Sequence, residues 1–175
     1  MAIIIQKAGP DDSATLALLG RMTFREAFGA LFERREEELR AYLDANFAVA
    51  KLAASLTKPE NHYWLALASD LPVGYAKLKQ PSANALIDDA AAAQLQKIYV
   101  LAEFLTQGIG HGLMQAAMAE ATKVKVKQMW LTVLDSNDRA IRFYERTGWT
   151  RAGTTFFSIG AQDFSFLLFE TNPSI

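Results

Sequence analysis

No cysteine occurs in the 175 residues, which excludes disulfides, thiolate metal sites and a cysteine acyl-enzyme. Histidine is nearly as scarce, and His62 and His111 alone are too few for a three-histidine zinc site. Neither sign of charge dominates. Eighteen Lys+Arg against 19 Asp+Glu leave a net charge of −1, so no overall field draws the chain to nucleic acid or to an anionic membrane. Long apolar runs are missing, and Met1 to Gln6 carry no basic segment ahead of their few apolar residues. Neither a signal peptide nor a membrane span is expected, and a cytoplasmic location follows.

What is present is material for a core. Hydrophobic residues make up 51% of the chain and aromatics 11%, enough to exclude disorder. At roughly 150 residues per domain, one domain over residues 1–175 is expected. Ile3-Ile4-Ile5 reads as a strand that ends at Ala8-Gly9-Pro10, and Asp11, Asp12 and Ser13 then open a helix. Apolar residues at helical spacing run from Leu16 to Phe28, stopping at Gly29. A second amphipathic helix carries Leu39, Tyr42, Leu43 and Phe47 behind the charged run Glu33 to Arg40, and a third, Val49 to Leu56, stops at Lys58-Pro59.

Tyr63 to Ala68 and Val73 to Leu78 form a predicted hairpin around Ser69-Asp70-Leu71-Pro72, followed by an Ala-rich loop or fraying helix between Pro81 and Ala93. Strand Leu95 to Val100, helix Gly108 to Lys125, strand Met129 to Leu134 and helix Asn137 to Thr147 come next, the last closed by Gly148. Strands Thr150 to Phe157 and Phe164 to Phe169 flank Ile159-Gly160-Ala161. The order βααα-ββ-β-α-β-α-ββ predicts an α/β fold with one mixed sheet.

Two stretches carry chemistry. Ile98-Tyr99-Val100 leads to Gln107-Gly108-Ile109-Gly110-His111-Gly112. A strand that passes through glycines into a helix start offers free backbone N–H groups and the positive end of the helix dipole to a phosphate. The same glycines also serve plain helix–sheet packing, and without a Lys-Ser/Thr pair the turn does not match a nucleoside triphosphate loop. The second stretch places Asn137, Ala140 or Ile141, Tyr144 and Gly148 at three- and four-residue steps. Tyr144 and Phe143 fit a cleft or a core equally well by spacing.

Together, in this order, the two stretches resemble the GCN5-related N-acetyltransferase (GNAT) family over nearly the whole chain. The resemblance implies a single, mostly antiparallel, twisted sheet of about seven strands flanked by helices, with acetyl-CoA as co-substrate and no metal. The implied coenzyme-binding residues are Ile98, Tyr99, Val100, Gln107, Gly108, Ile109, Gly110, His111, Gly112, Asn137, Ala140 and Phe143. Ile98 and Val100 would pair with the pantetheine arm, and N–H groups near Gln107 to Gly112 would take the pyrophosphate. Tyr144 matches the tyrosine that protonates the departing thiolate, a role that suits a phenol of pKa near 10.

Two positions depart from the family pattern. The Arg or Gln usual three residues before the first glycine is Leu105 if Gly108 and Gly110 are the pair; the register Gln107, Gly110, Gly112 restores a Gln. The first register better fits the distance from Tyr99-Val100 through Glu103-Phe104. Where relatives carry a Glu on the strand before Ile98, this chain has Gln94 and Gln96. Freeing an amine of pKa near 10.4 at pH 7 costs about 4.6 kcal/mol, and Glu103, Glu26, Glu33 or a water chain are the candidate bases.

Phe24-Arg25-Glu26-Ala27-Phe28, Ala41-Tyr42-Leu43 and Gly74-Tyr75-Ala76-Lys77-Leu78 are similar to the bacterial spermidine/spermine acetyltransferase branch, although Phe164-Ser165-Phe166 stand where that branch often has an acid. The expected acceptor is the primary amine of a small molecule, a polyamine among the candidates. A non-catalytic acyl-CoA-binding module and an acetyltransferase for protein amino termini are the alternatives. The aromatic-rich terminal strands suit a homodimer or plain core packing equally.

Overall fold

The computed structural model describes residues 2–174. Twelve regular elements follow one another: β1 (Ile3–Lys7), α1 (Ser13–Phe28), α2 (Glu36–Asn46), α3 (Val49–Leu56), β2 (Asn61–Ala68), β3 (Leu71–Lys79), β4 (Ala93–Val100), α4 (Ile109–Lys123), β5 (Met129–Leu134), α5 (Asp138–Arg146), β6 (Thr150–Ile159) and β7 (Gln162–Thr171). The seven strands form one sheet in the order β1-β2-β3-β4-β5-β7-β6, with β4 parallel to β5 and the pairs β1–β2, β5–β7 and β6–β7 antiparallel. This is the mixed sheet that the element order predicts, and the mostly antiparallel one that the family resemblance implies.

The β2–β3 hairpin is tighter than expected. Ser69 and Asp70 alone make the turn, both at positive φ (47° and 66°), which matches the right-handed twist of the flanking strands. Pro72 therefore lies within β3, near its start, where a missing N–H is tolerated. The segment after β3 holds no helix. It is tied down instead by the Ser82 N–H on the Ala92 carbonyl (2.7 Å) and by the Trp130 indole N–H on the Ser82 carbonyl (2.7 Å).

The chain divides into two compact units, residues 1–78 with 97–117 and residues 79–96 with 118–175. In the first, Leu16, Ala17 and Leu19 of α1 and Leu52 of α3 bury their apolar stripes with Tyr63, Leu65 and Tyr75 of the sheet. Arg21 and Asp44 join α1 to α2 across 2.7 Å at the surface, where such a pair contributes about 1 kcal/mol or less. In the second unit, Ile87, Ala92, Trp130 and Leu168 pack together, with Ala152 against them. The Phe169 ring is fully buried beneath α5 residue Tyr144.

Candidate active site

In the first unit the site is built on the end of β4 and the start of α4. The ladder between β4 and β5 consists of Ala93↔Met129 and Gln94↔Trp130; among the described residues, 95–100 stand outside it. On its other side β4 is held closely by β3. The Leu101 N–H donates to the Val73 carbonyl (2.8 Å), and a Cβ at Gly74 would lie 2.7 Å from the Tyr99 oxygen. Glycine is required there because backbone fills the space a side chain would take.

Gly108 turns the chain at φ +77° into α4. The first bond of that helix runs from the Gly112 N–H to the Gly108 carbonyl (3.0 Å), and the Gln107 N–H donates to the Phe104 carbonyl (3.3 Å). Of the stretch 107–112, two N–H groups are thus engaged in the turn itself. Those of Ile109, Gly110 and His111 precede the helical ladder, at the positive end of the dipole. His111 is exposed and half-buried Gly110 carries no side chain, so an anion meets little obstruction.

The three carboxylate candidates for the base, Glu26, Glu33 and Glu103, are all exposed. The Glu26 carboxylate accepts the Ala102 N–H (2.9 Å), fastening α1 to the turn after β4. Tyr99 is no base either, because burial first and Tyr42 second push its phenol far above the ordinary range. His62 stacks on Trp64 with ring centroids 6.4 Å apart.

In the second unit Asn137 caps α5, its Oδ1 accepting the Ala140 N–H (3.2 Å), a contact worth about 1 kcal/mol to a helix start. Two turns beyond the cap Tyr144 faces inward, with only 7% of its surface exposed. Edge-on contacts from Phe143 (5.2 Å) and Trp149 (6.0 Å) fix its ring. Gly148, at φ +88°, ends the helix as its position suggested. Among the described residues no three His, Asp or Glu gather as a metal site, and no helix is long and apolar enough to cross a membrane.

The model of the acetyltransferase (GNAT) family matches residues 22–149, a span containing every one of these positions. The chain belongs to the GNAT family of acetyltransferases. An uncharacterised N-acetyltransferase of Mycobacterium bovis is 33% identical over 125 residues, covering 71% of this chain and 76% of that protein. Another, from Lactobacillus delbrueckii subsp. lactis, is 24% identical over 156 residues and 89% of both chains. Among solved structures, the PaiA N-acetyltransferase of Thermoplasma acidophilum, in complex with coenzyme A, superposes with a TM-score of 0.75 at 20% identity, over 98% of this chain and 99% of that one. At that identity the likeness is one of fold.

One residue of this GNAT chain escaped the sequence reading. Lys97 precedes Ile98 on β4 and shares a face with Tyr99; its Nζ lies over the Phe47 ring, 4.9 Å from the centroid. Phe47 is itself buried, its backbone N–H on the Leu43 carbonyl (2.8 Å) and its ring against Gly20. Desolvation, with the Lys51 charge second, lowers the Lys97 ammonium from 10.5 to about 8. A lysine between two strand neighbours as apolar as Leu95 and Tyr99 was the available signal.

This depression has a definite sign for stability. Below pH 8 Lys97 is charged in both states, and the folded chain bears the whole desolvation cost. Between pH 8 and 10.5 the folded chain has released the proton while the unfolded chain has not, so the cost is lost and stability rises. Urea midpoints of wild type measured against Lys97→Met should therefore climb as pH rises from 8. A difference that stays constant with pH would refute this environment for Lys97.

Proposed function

We propose that this chain transfers the acetyl group of acetyl-CoA to the primary amine of a small molecule, by direct attack within a ternary complex. Membership of the family over residues 22–149 carries the reading. The pantetheine arm takes the position of a strand beside Ile98 and Val100, and the N–H groups of Ile109, Gly110 and His111 take the pyrophosphate. Asn137, Ala140 and Phe143 lie along the coenzyme, with Tyr99, Gln107, Gly108 and Gly112 shaping its channel.

The amine lone pair attacks the thioester carbonyl carbon, whose oxygen is polarised by backbone N–H groups of β4. The C–S bond then breaks, and the thiolate takes the Tyr144 phenolic proton, which solvent restores. The proton shed by the amine leaves through water, since Gln94 and Gln96 accept none usefully. With no cysteine in the chain, no acyl-thioenzyme intervenes. Polyamines, the acceptors of the branch that the amino-terminal helices resemble, form one arm of the test.

The test is acetyl-CoA-dependent thiol release across polyamines, short diamines, amino acids, aminoglycosides and peptides, with a thiol reagent to which the protein contributes no background. Release with a small amine supports the reading. Release with peptides alone would point to protein amino termini, and silence with acetyl-CoA bound would point to a binding module.

A further inference from the structure

We infer that Lys97 supplies the counter-charge for an acceptor that bears a carboxylate or similar oxyanion beside its reactive amine. The inference rests on the acetyl-transfer reading above and names the substrate class. Lys97 is one residue from Ile98; it is half-buried, and its Nζ lies over the Phe47 ring. Among the described residues no carboxylate lies within ion-pair distance of it.

The acids of α2 that do form ion pairs form them with arginines: Glu36 with Arg25 (2.8 Å), Glu38 with Arg35 (3.3 Å) and Asp44 with Arg21 (2.7 Å). The charged group that does act on Lys97 is another cation, Lys51, whose Nζ is held by the Ala45 carbonyl (2.9 Å) and Asn46 Oδ1 (3.2 Å). A desolvated charge in a folded protein is normally paired. Here the protein provides a π face and no anion, so the missing partner arrives with the ligand. A polycation would meet two like charges at this wall. The lowered pKa of Lys97 has the same cause and reverses when an anion binds, because an opposite charge favours the protonated form.

Two acceptors of matched length separate the cases. γ-Aminobutyrate and putrescine share one end and differ at the other, carboxylate against ammonium. The expected result is a kcat/KM for γ-aminobutyrate about tenfold or more above that for putrescine. The preference should collapse in Lys97→Met through KM and largely persist in Lys97→Arg, which keeps the charge. Equal or better turnover of putrescine by wild type, or a preference that Lys97→Met leaves unchanged, overturns the inference while leaving acetyl transfer standing. Silence with every amine overturns the acetyl-transfer reading itself and the inference with it.

Discussion

Replacing Tyr144 by Phe should lower kcat by on the order of 10²- to 10³-fold, the usual worth of a positioned general acid, while the Kd for acetyl-CoA stays at the wild-type value. The expected separation follows from how the ring is held. Phe143, Trp149 and Phe169 contact the Tyr144 ring from several directions, and a phenylalanine keeps all three contacts. Only the hydroxyl is removed. A thiolate that leaves without a proton must be stabilised by water or backbone alone, so the loss falls on the step in which the C–S bond breaks. Stopped-time assays of thiol release, with acetyl-CoA binding measured by calorimetry on the same preparation, check both halves. Turnover equal to wild type would remove Tyr144 from the mechanism.

Gly74→Ala is expected to cost about 1–3 kcal/mol, lowering Tm by roughly 2–4 °C for each kcal/mol in a chain of this size. A Cβ there would stand 2.7 Å from the Tyr99 oxygen and 3.2 Å from the Val100 Cα, and the obstacle is backbone, which no rotamer change relieves. β4 must move away from β3 at the peptide proposed to meet pantetheine. Weaker acetyl-CoA binding should therefore accompany the lost stability, whereas Gly148→Ala, strained at φ +88° but with open space around it, should cost stability alone. A Gly74→Ala protein with unchanged Tm and unchanged acetyl-CoA affinity would contradict the account of this contact.

Most of the fold was legible because its signals are local. Apolar residues at three- and four-residue steps locate α1 to α3, Gly148 does stop α5, and Met129 to Leu134 are β5 to the residue. The misreadings fall where turn geometry, or contact with residues elsewhere in the chain, overrides the local pattern. Pro72 suggested a longer hairpin turn, but the positive φ of Ser69 and Asp70 closes it in two residues. The Ala-rich segment after Pro81 was open to a helical reading, yet the Trp130 indole and the Ser82 backbone hold it irregular. At the site, glycine spacing marked the turn before α4, while the engagement of the Gln107 and Gly112 N–H groups appears only when the bonds are traced. Lys97 shows the limit most clearly, because nothing in the order Gln94-Leu95-Gln96-Lys97 tells that the ammonium will sit over Phe47, some fifty residues earlier in the chain.

The central claim is that acetyl passes from coenzyme to amine on this chain. It is tested most directly by quantifying both products of one reaction, free coenzyme A thiol and N-acetylated amine, for the amine that turns over fastest. The account predicts equal amounts of the two throughout the time course, with no thiol release when the amine is omitted. Thiol released without matching acetylated amine would make the protein a thioesterase and contradict it.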